Sequence, residues 1–142
     1  MKTRNRAPVA IYKRCIPVTK EVGLSLARKE LRKLLDMLEV ESEMRRAELL
    51  TMLDEIGNNI IRHAGNGTIC ISAYRVGGRV GVRLVAEDRG RGIDDLSKAF
   101  SRGFSEDNGL GMGLNLLRSL SDDVRIASLI GGGTYVEAWK WI

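Results

Sequence analysis

The sequence contains only one histidine, His63, which excludes metal sites built on two histidines, including the H-E-x-x-H helix. It has no G-x-S-x-G segment and no G-x-x-x-x-G-K-[ST] segment, so the α/β-hydrolase and P-loop signatures are absent. No apolar run approaches the roughly 18 residues of a membrane helix, and the N-terminus lacks the apolar core of a secretory signal. We therefore expect a cytoplasmic protein with no membrane partner.

Cysteine and aromatic residues are also scarce. Cys15 and Cys70 are far apart and fit no metal-ligand or redox spacing, so they are expected to be reduced thiols in or near the core. The two Trp, three Tyr and two Phe are not interleaved with basic residues, which argues against a stacking platform for nucleic acid. Residues 1–33 carry 10 Lys or Arg and 2 Glu, and such a basic segment suits nucleic acid or an acidic protein surface.

The length of 142 residues, with 44% hydrophobic and 29% charged residues and only 2 Pro, is typical of one globular domain. We find no repeat and no linker that would divide the chain. The prediction is therefore a single domain over residues 1–142.

Apolar spacing predicts the elements of the first half. A strand around Val9 is expected to end at Pro17, and Thr19 offers a side-chain N-cap for the helix that follows. That helix has apolar positions at three- and four-residue steps: Leu24, Ala27, Leu31, Leu34, Leu35 and Leu38. A second helix over about residues 43–64 has Leu49, Met52, Leu53, Ile56 and Ile60 on one face and ends near Gly65 and Gly67.

The period then changes to two, which predicts strands. Alternation around Ile71 and Leu84, separated by Gly77 and Gly78, predicts an antiparallel hairpin. A short helical candidate at residues 94–100, a helix over 110–120 and two strands over 124–130 and 134–141 complete the chain. The fold class is α/β: a two-layer α/β sandwich with a mostly antiparallel mixed sheet and the helices on one face.

Three polar or flexible features interrupt this pattern. Glu55 and Asn59 stand one turn apart on one face of the second helix, where they could present a base and a metal ligand together. The alternative is a surface Glu beside a packing glycine, Gly57. Asp88 follows a strand, together with Gly90 and Gly92, and could accept hydrogen bonds from an exocyclic amine, although Asp with Gly is also ordinary turn chemistry.

The third feature is a glycine-rich segment that opens the helix over 110–120. It consists of Gly109, Leu110, Gly111, Met112 and Gly113. Exposed backbone N–H groups at a helix N-terminus form an anion site, for which phosphate is the natural ligand. The alternative is a simple connector.

These segments, together with Gly133-Thr134, resemble the N, G1 and G2 boxes of the GHKL ATPase and kinase superfamily, which has the Bergerat fold, also called the histidine-kinase-like ATPase fold. Within it, the chain is similar to the small RsbT-type and RsbW/SpoIIAB-type serine kinases of bacterial regulatory switches. The resemblance spans the chain from about Pro8 to the C-terminus.

The resemblance implies a role for each motif. ATP and Mg²⁺ would be the cofactors, with Glu55 as the base and Asn59 as the Mg²⁺ ligand. Asp88 would bind the adenine amine with help from Thr134, and the backbone of residues 109–113 would hold the phosphates. Residues 95–108 would form the ATP lid, with Arg102 as a phosphate contact or as an exposed charge.

The resemblance also implies the function. A histidine kinase would carry a separate dimerisation helix, so His63 is expected to be a packed or capping residue, and the short lid argues against the gyrase, Hsp90 and MutL branches. The first hypothesis is a serine/threonine kinase in bacterial stress or sigma-factor signalling that phosphorylates a STAS-domain antagonist and can activate a PPM-type phosphatase. The alternatives are an anti-sigma factor kinase that sequesters a sigma factor and a nucleotide-gated binding module without turnover. The sequence leaves the oligomeric state open, a homodimer included.

Overall fold

A computed structural model of the chain describes residues 7–89, 110–129 and 132–142. In this part of the chain the strands are β1 (Val9–Val18), β2 (Gly67–Val76), β3 (Arg79–Asp88), β4 (Asp123–Leu129) and β5 (Gly133–Trp141). The α-helices are α1 (Glu21–Met37), α2 (Glu43–Asn59) and α3 (Leu110–Leu120), and a π-helical segment, Ile60–Ala64, continues α2. The helical candidate at 94–100 lies outside the described residues.

The strands form one sheet in the order β1-β2-β3-β5-β4, and each of these neighbouring pairs is antiparallel. The three helices lie against one face, where α1 contacts β1 and β2, α2 contacts β3 and β5, and α3 contacts β4 and β5. The predicted two-layer α/β sandwich is confirmed.

The core lies between the two layers because the helices and strands turn their apolar positions towards each other. The predicted apolar positions of α1 and α2 are buried, apart from Leu38 at the end of α1. Burying one such side chain contributes about 1.5–3 kcal/mol. The largest fully buried side chains are Leu24, Leu31, Leu34, Leu35, Leu49, Met52, Leu53, Ile56, Ile60, Ile69, Ile71 and Leu84.

The ends of the predicted elements need two corrections. The N-cap of α1 is Lys20, which makes no side-chain capping bond, so the prediction of Thr19 as the cap was wrong. Strand β1 continues through Pro17 to Val18. A proline is tolerated there because β1 is an edge strand, in which one side of the backbone needs no partner.

The cysteine prediction was also wrong. Cys15 and Cys70 form a disulfide between β1 and β2. The antiparallel register places them directly opposite each other, with their Cα atoms 4.0 Å apart. Neither residue is in the core, since Cys15 is exposed and Cys70 is half-buried. Spacing along the chain could not show this pairing, because it depends on how two distant strands align.

Candidate functional site

Helix α2 carries Glu55 and Asn59 towards its C-terminal end. The hydroxyl of Ser42 caps this helix by accepting a hydrogen bond from the backbone N–H of Arg45 over 3.2 Å. From there the helix runs to Asn59, and both Glu55 and Asn59 are half-buried. The predicted pairing of a carboxylate and an amide one turn apart therefore lies on a regular helix.

The helix changes character directly after Asn59. Residues Ile60–Ala64 form a π-helical turn in which the N–H of Gly65 donates to the carbonyl of Ile60 over 2.7 Å. Gly65 ends the turn in the left-handed region with φ +74°, as the predicted helix end requires. Such π-turns are often found at functional sites. His63 lies in this segment and is half-buried.

The charge of Glu55 is influenced by burial and by two neighbours. Burial raises the pKa of Glu55, Arg62 in the π-helical turn lowers it, and Asp54 raises it further, so that the net shift is upward. A raised pKa gives the carboxylate a higher affinity for a proton, which suits a general base. Sequence reasoning missed Arg62 because its position beside Glu55 depends on the geometry after Asn59.

Asp88 closes the end of β3 and joins it to β5. Its Oδ1 accepts a hydrogen bond from the backbone N–H of Thr134 over 3.2 Å. Gly133 has φ +102°, and a Cβ built on it would lie only 1.9 Å from the carbonyl oxygen of Asp88, so no other residue fits without moving the backbone. The sequence motif Gly133-Thr134 is thus part of the same structure as Asp88.

A cavity of ≈ 540 Å³ opens at this end of the sheet. Asp88 and Thr134 line it together with residues from the starts of β2 and β5 and from the end of β4. Its volume falls within the usual range for small-molecule sites, about 300–1,000 Å³. The lining residues are Asn66, Gly67, Thr68, Glu87, Asp88, Arg89, Ala127, Gly132, Gly133, Thr134 and Tyr135.

Gly67 connects this cavity to the end of α2. A Cβ built on Gly67 would lie 2.9 Å from Cγ2 of Ile60, the residue after Asn59, and 3.2 Å from Cβ of Asp88. The π-helical segment that continues the helix of Glu55 and the strand that carries Asp88 therefore meet at one glycine. Sequence reasoning treated Gly67 only as part of a helix end, although its position at the start of β2, opposite the end of β3, could have indicated this contact.

The remaining predicted site residues fall into two groups. Leu110, Gly111, Met112 and Gly113 form the first turn of α3, which agrees with the predicted helix start. Gly90, Gly92, Arg102 and Gly109, and with them the predicted lid over 95–108, lie outside the described residues.

Two further observations concern ligands and membranes. Among residues 7–89, 110–129 and 132–142, no three His, Cys, Asp or Glu side chains gather as a metal site. None of the helices described is long and apolar enough to cross a membrane.

Comparison with known proteins gives consistent matches. The family model described as a histidine kinase-like ATPase domain matches residues 16–140. The serine/threonine-protein kinase RsbT of Bacillus subtilis (strain 168) is 38% identical over 96 residues, which are 68% of this chain and 72% of that protein. An anti-sigma F factor of Thermoanaerobacter sp. (strain X514) is 30% identical over 102 residues, 68% of this chain and 70% of that protein.

A solved structure shares the fold. A chain of the SiaB-SiaC complex from Pseudomonas aeruginosa superimposes with a TM-score of 0.58, covers 94% of this chain and 91% of that one, and is 12% identical. At this identity the likeness concerns the arrangement of helices and strands alone.

Proposed function

Because the chain belongs to the family of histidine kinase-like ATPase domains, we propose that it transfers the γ-phosphate of ATP to a serine or threonine of a protein partner in a bacterial sigma-factor or stress switch. Its family is the predicted one, and its similarity to a serine/threonine-protein kinase supports the predicted enzyme type. The structural observation that supports the proposal is the contact at Gly67, where Ile60, the residue after Asn59, meets the end of β3 beside the cavity that Asp88 lines. Glu55 and Asn59 are not among the residues that line this cavity.

Glu55 is the proposed base. The acceptor hydroxyl forms a new O–P bond to the γ-phosphorus while the bond from that phosphorus to the β-γ bridging oxygen breaks, which leaves ADP. The hydroxyl proton goes to the carboxylate of Glu55. Phosphoryl transfer depends mainly on positioning and charge neutralisation, so one suitably placed carboxylate is sufficient as a base.

Asp88 and the glycine segments are the proposed nucleotide contacts. Asp88 would accept a hydrogen bond from the exocyclic amine of adenine, and its bond to the N–H of Thr134 holds the carboxylate in one orientation. Gly90 and Gly92 would let the backbone approach the base. The backbone N–H groups of residues 109–113 at the start of α3 would hold the phosphates, with Arg102 as a further contact.

Asn59 is the proposed Mg²⁺ ligand. Its amide oxygen is the kind of donor that Mg²⁺ prefers, and this ion commonly keeps several waters and takes only one or two protein oxygens besides substrate phosphates. When bound, Mg²⁺ would neutralise charge that develops on the phosphates.

The proposed partner is a STAS-domain antagonist as phosphate acceptor, with a PPM-type phosphatase as a second partner that this chain activates. The likeness to a serine/threonine-protein kinase supports a protein as the phosphate acceptor. The likeness to an anti-sigma F factor favours a second candidate, in which the chain also sequesters a sigma factor. In either case the proposed location is the cytoplasm.

Labelled ATP, Mg²⁺ and candidate STAS proteins test the proposal directly. We expect label on a serine or threonine of the acceptor. Glu55→Gln should abolish transfer and retain ATP binding, whereas Glu43→Gln, an exposed carboxylate in the first turn of the same helix, should change neither. No transfer to any acceptor by a protein that binds ATP would instead indicate a nucleotide-gated binding module.

The nucleotide contact has its own matched control. The carboxylate of Asp122 accepts a hydrogen bond from the backbone N–H of Trp141 over 2.8 Å, much as that of Asp88 accepts one from the N–H of Thr134. Asp122 does not line the cavity. Asp88→Asn should weaken ATP binding at least tenfold and Asp122→Asn should not. Equal affinities for the two variants would contradict the adenine assignment. Recovery of a stable complex with a sigma factor would favour the second candidate function.

A further inference from the structure

The outer side of α1 carries large apolar side chains in solvent. Val22, Leu26 and Met37 are 67%, 53% and 64% exposed. At about 100° per residue they fall, with Lys29 and Lys33, within about 80° of arc on the helix surface. We name these five residues the α1 stripe. It extends about 22 Å along the helix at 1.5 Å per residue, which matches a partner helix of about four turns.

Basic side chains occupy the middle of the α1 stripe. Lys29 and Lys33 lie between the apolar ends, and Arg32 is exposed beside them. Lys33 is 3.6 Å from Glu30, whereas Lys29 and Arg32 make no ion pair with the part of the chain that the structure describes. An apolar surface with uncompensated positive charge at its centre matches a partner surface that is apolar and acidic.

The inner side of α1 contacts the helix that bears the proposed base. Nε of Arg28 donates to Oδ1 of Asp54, next to Glu55, over 2.6 Å, and Leu24 packs against Gly57. A protein bound to the α1 stripe would therefore lie one helix away from Glu55.

We propose that the α1 stripe is a docking site for an acidic amphipathic helix of a partner protein. The apolar side chains of that helix would cover Val22, Leu26 and Met37, and its carboxylates would pair with Lys29 and Arg32. This inference rests on the proposed function only in expecting a protein partner, because docking requires neither ATP nor phosphate transfer.

The charge distribution distinguishes this partner from two others. A second copy of α1 would bring the same basic residues face to face, which is repulsive. A helix that lies on a membrane has a continuous apolar face with cations at its flanks, whereas here the cations stand between the apolar residues. An acidic helix satisfies both the apolar and the basic parts of the stripe.

The test uses a fluorescent 18-residue synthetic helix that carries Leu near both ends of one face and Glu between them on the same face, and a second peptide in which each Glu is Lys. Anisotropy titrations without ATP should show binding of the Glu peptide and at least tenfold weaker binding of the Lys peptide. Leu26→Ser should weaken binding of the Glu peptide at least fivefold. The pair Lys29→Glu with Arg32→Glu should reverse the preference between the two peptides.

The control variant combines Leu116→Ser with Arg75→Glu, which removes one exposed apolar side chain and one exposed cation elsewhere. It should bind as the unsubstituted chain does, and circular dichroism should show that all variants are folded. No binding of the Glu peptide, equal binding of both peptides, or weakening by the control alone would overturn the proposal. So would a dimer that dissociates on Leu26→Ser, or binding to phosphatidylserine vesicles that exceeds binding to the Glu peptide. Since no nucleotide is present, none of these results depends on the proposed kinase activity.

Discussion

Gly57 of α2 lies against Leu24 of α1 so closely that a Cβ at Gly57 would be 2.4 Å from Cδ1 of Leu24. Leu24 is fully buried, so its side chain fills the space that a larger residue at position 57 would need. The glycine between Glu55 and Asn59 is therefore a packing residue. It allows α1 to approach the helix of the proposed site.

Gly57→Ala should destabilise the protein by about 1 kcal/mol. Alanine gains about 1 kcal/mol of helix propensity, but overpacking in a filled core costs about 1–3 kcal/mol. Urea unfolding measures the difference. Gly78→Ala is the control, because nothing lies within 4 Å of the added Cβ. A variant at position 57 that is more stable than the unsubstituted chain would show that Leu24 can move aside.

Glu55→Gln should stabilise the protein at neutral pH while it abolishes transfer. The pKa of Glu55 is raised, chiefly by burial, so the folded state holds the proton more tightly than the unfolded chain does. The stabilising contribution of Glu55 is therefore complete below the unfolded pKa of about 4.3, where the carboxyl is protonated. It is lost as pH rises through the folded pKa and the buried carboxyl ionises. Glutamine removes this loss.

Urea unfolding of both proteins at pH 4 and pH 8 tests this relationship. We expect the free energy of unfolding of the variant, relative to that of the unsubstituted chain, to be higher at pH 8 than at pH 4, by of the order of 1 kcal/mol or less. Glu43→Gln, an exposed carboxylate on the same helix, should show no such trend. A Gln variant whose stability falls relative to that of the unsubstituted chain as pH rises would contradict the raised pKa of Glu55.

Glu137→Gln should destabilise the protein, because Glu137 takes part in hydrogen bonds on the face of the sheet opposite the helices. Oε1 of Glu137 accepts hydrogen bonds from Nε of Arg83 over 2.8 Å and from the hydroxyl of Tyr135 over 3.0 Å. Burial raises the pKa of Glu137, but the bonds from Arg83 and Tyr135 outweigh it and hold the pKa below its usual value. Loss of the charge should remove about 1–3 kcal/mol at neutral pH.

The pH dependence has the opposite sign to that of Glu55. Because the folded pKa of Glu137 is lowered, its contribution is complete above the unfolded pKa of about 4.3 and is lost as pH falls through the folded value. The difference between the unsubstituted chain and Glu137→Gln should therefore shrink on acidification, as measured by thermal unfolding from pH 7 to pH 3. A constant difference would mean that packing, rather than charge, is lost. Asp123→Asn, an exposed carboxylate on β4, serves as the control.

Reduction of the Cys15–Cys70 disulfide should destabilise the protein by about 2–4 kcal/mol. The bond closes a loop across 55 residues of sequence, which restricts the unfolded chain. Unfolding with and without a thiol reductant measures the effect, and the variant Cys15→Ser with Cys70→Ser should be insensitive to reductant. If reduction leaves the unfolding midpoint of the unsubstituted chain unchanged, the Cys15–Cys70 disulfide contributes nothing to stability.

The local elements were largely predictable because each depends on neighbouring residues. The apolar steps from Leu24 to Leu35 predicted α1, and the alternation around Ile71 and Leu84 with Gly77 predicted the β2–β3 hairpin. Gly77 has φ +62°, the left-handed conformation that glycine adopts readily. The cap at Thr19 failed because several residues there can precede a helix, and the packing of α1 on the sheet selects one.

Of the candidate site, the sequence determined which chemical groups are available: a carboxylate and an amide one turn apart on a helix, an aspartate at a strand end, and glycines before a helix. Those relations span at most a few residues, so the periodicity of one element sets them. The tertiary structure alone decided the rest. Ile60 and Asp88 meet at Gly67, Thr134 holds Asp88, and Cys15 faces Cys70 because strand order and register bring together residues that are distant in the chain, and many distant contacts must be satisfied at once before any of them is defined.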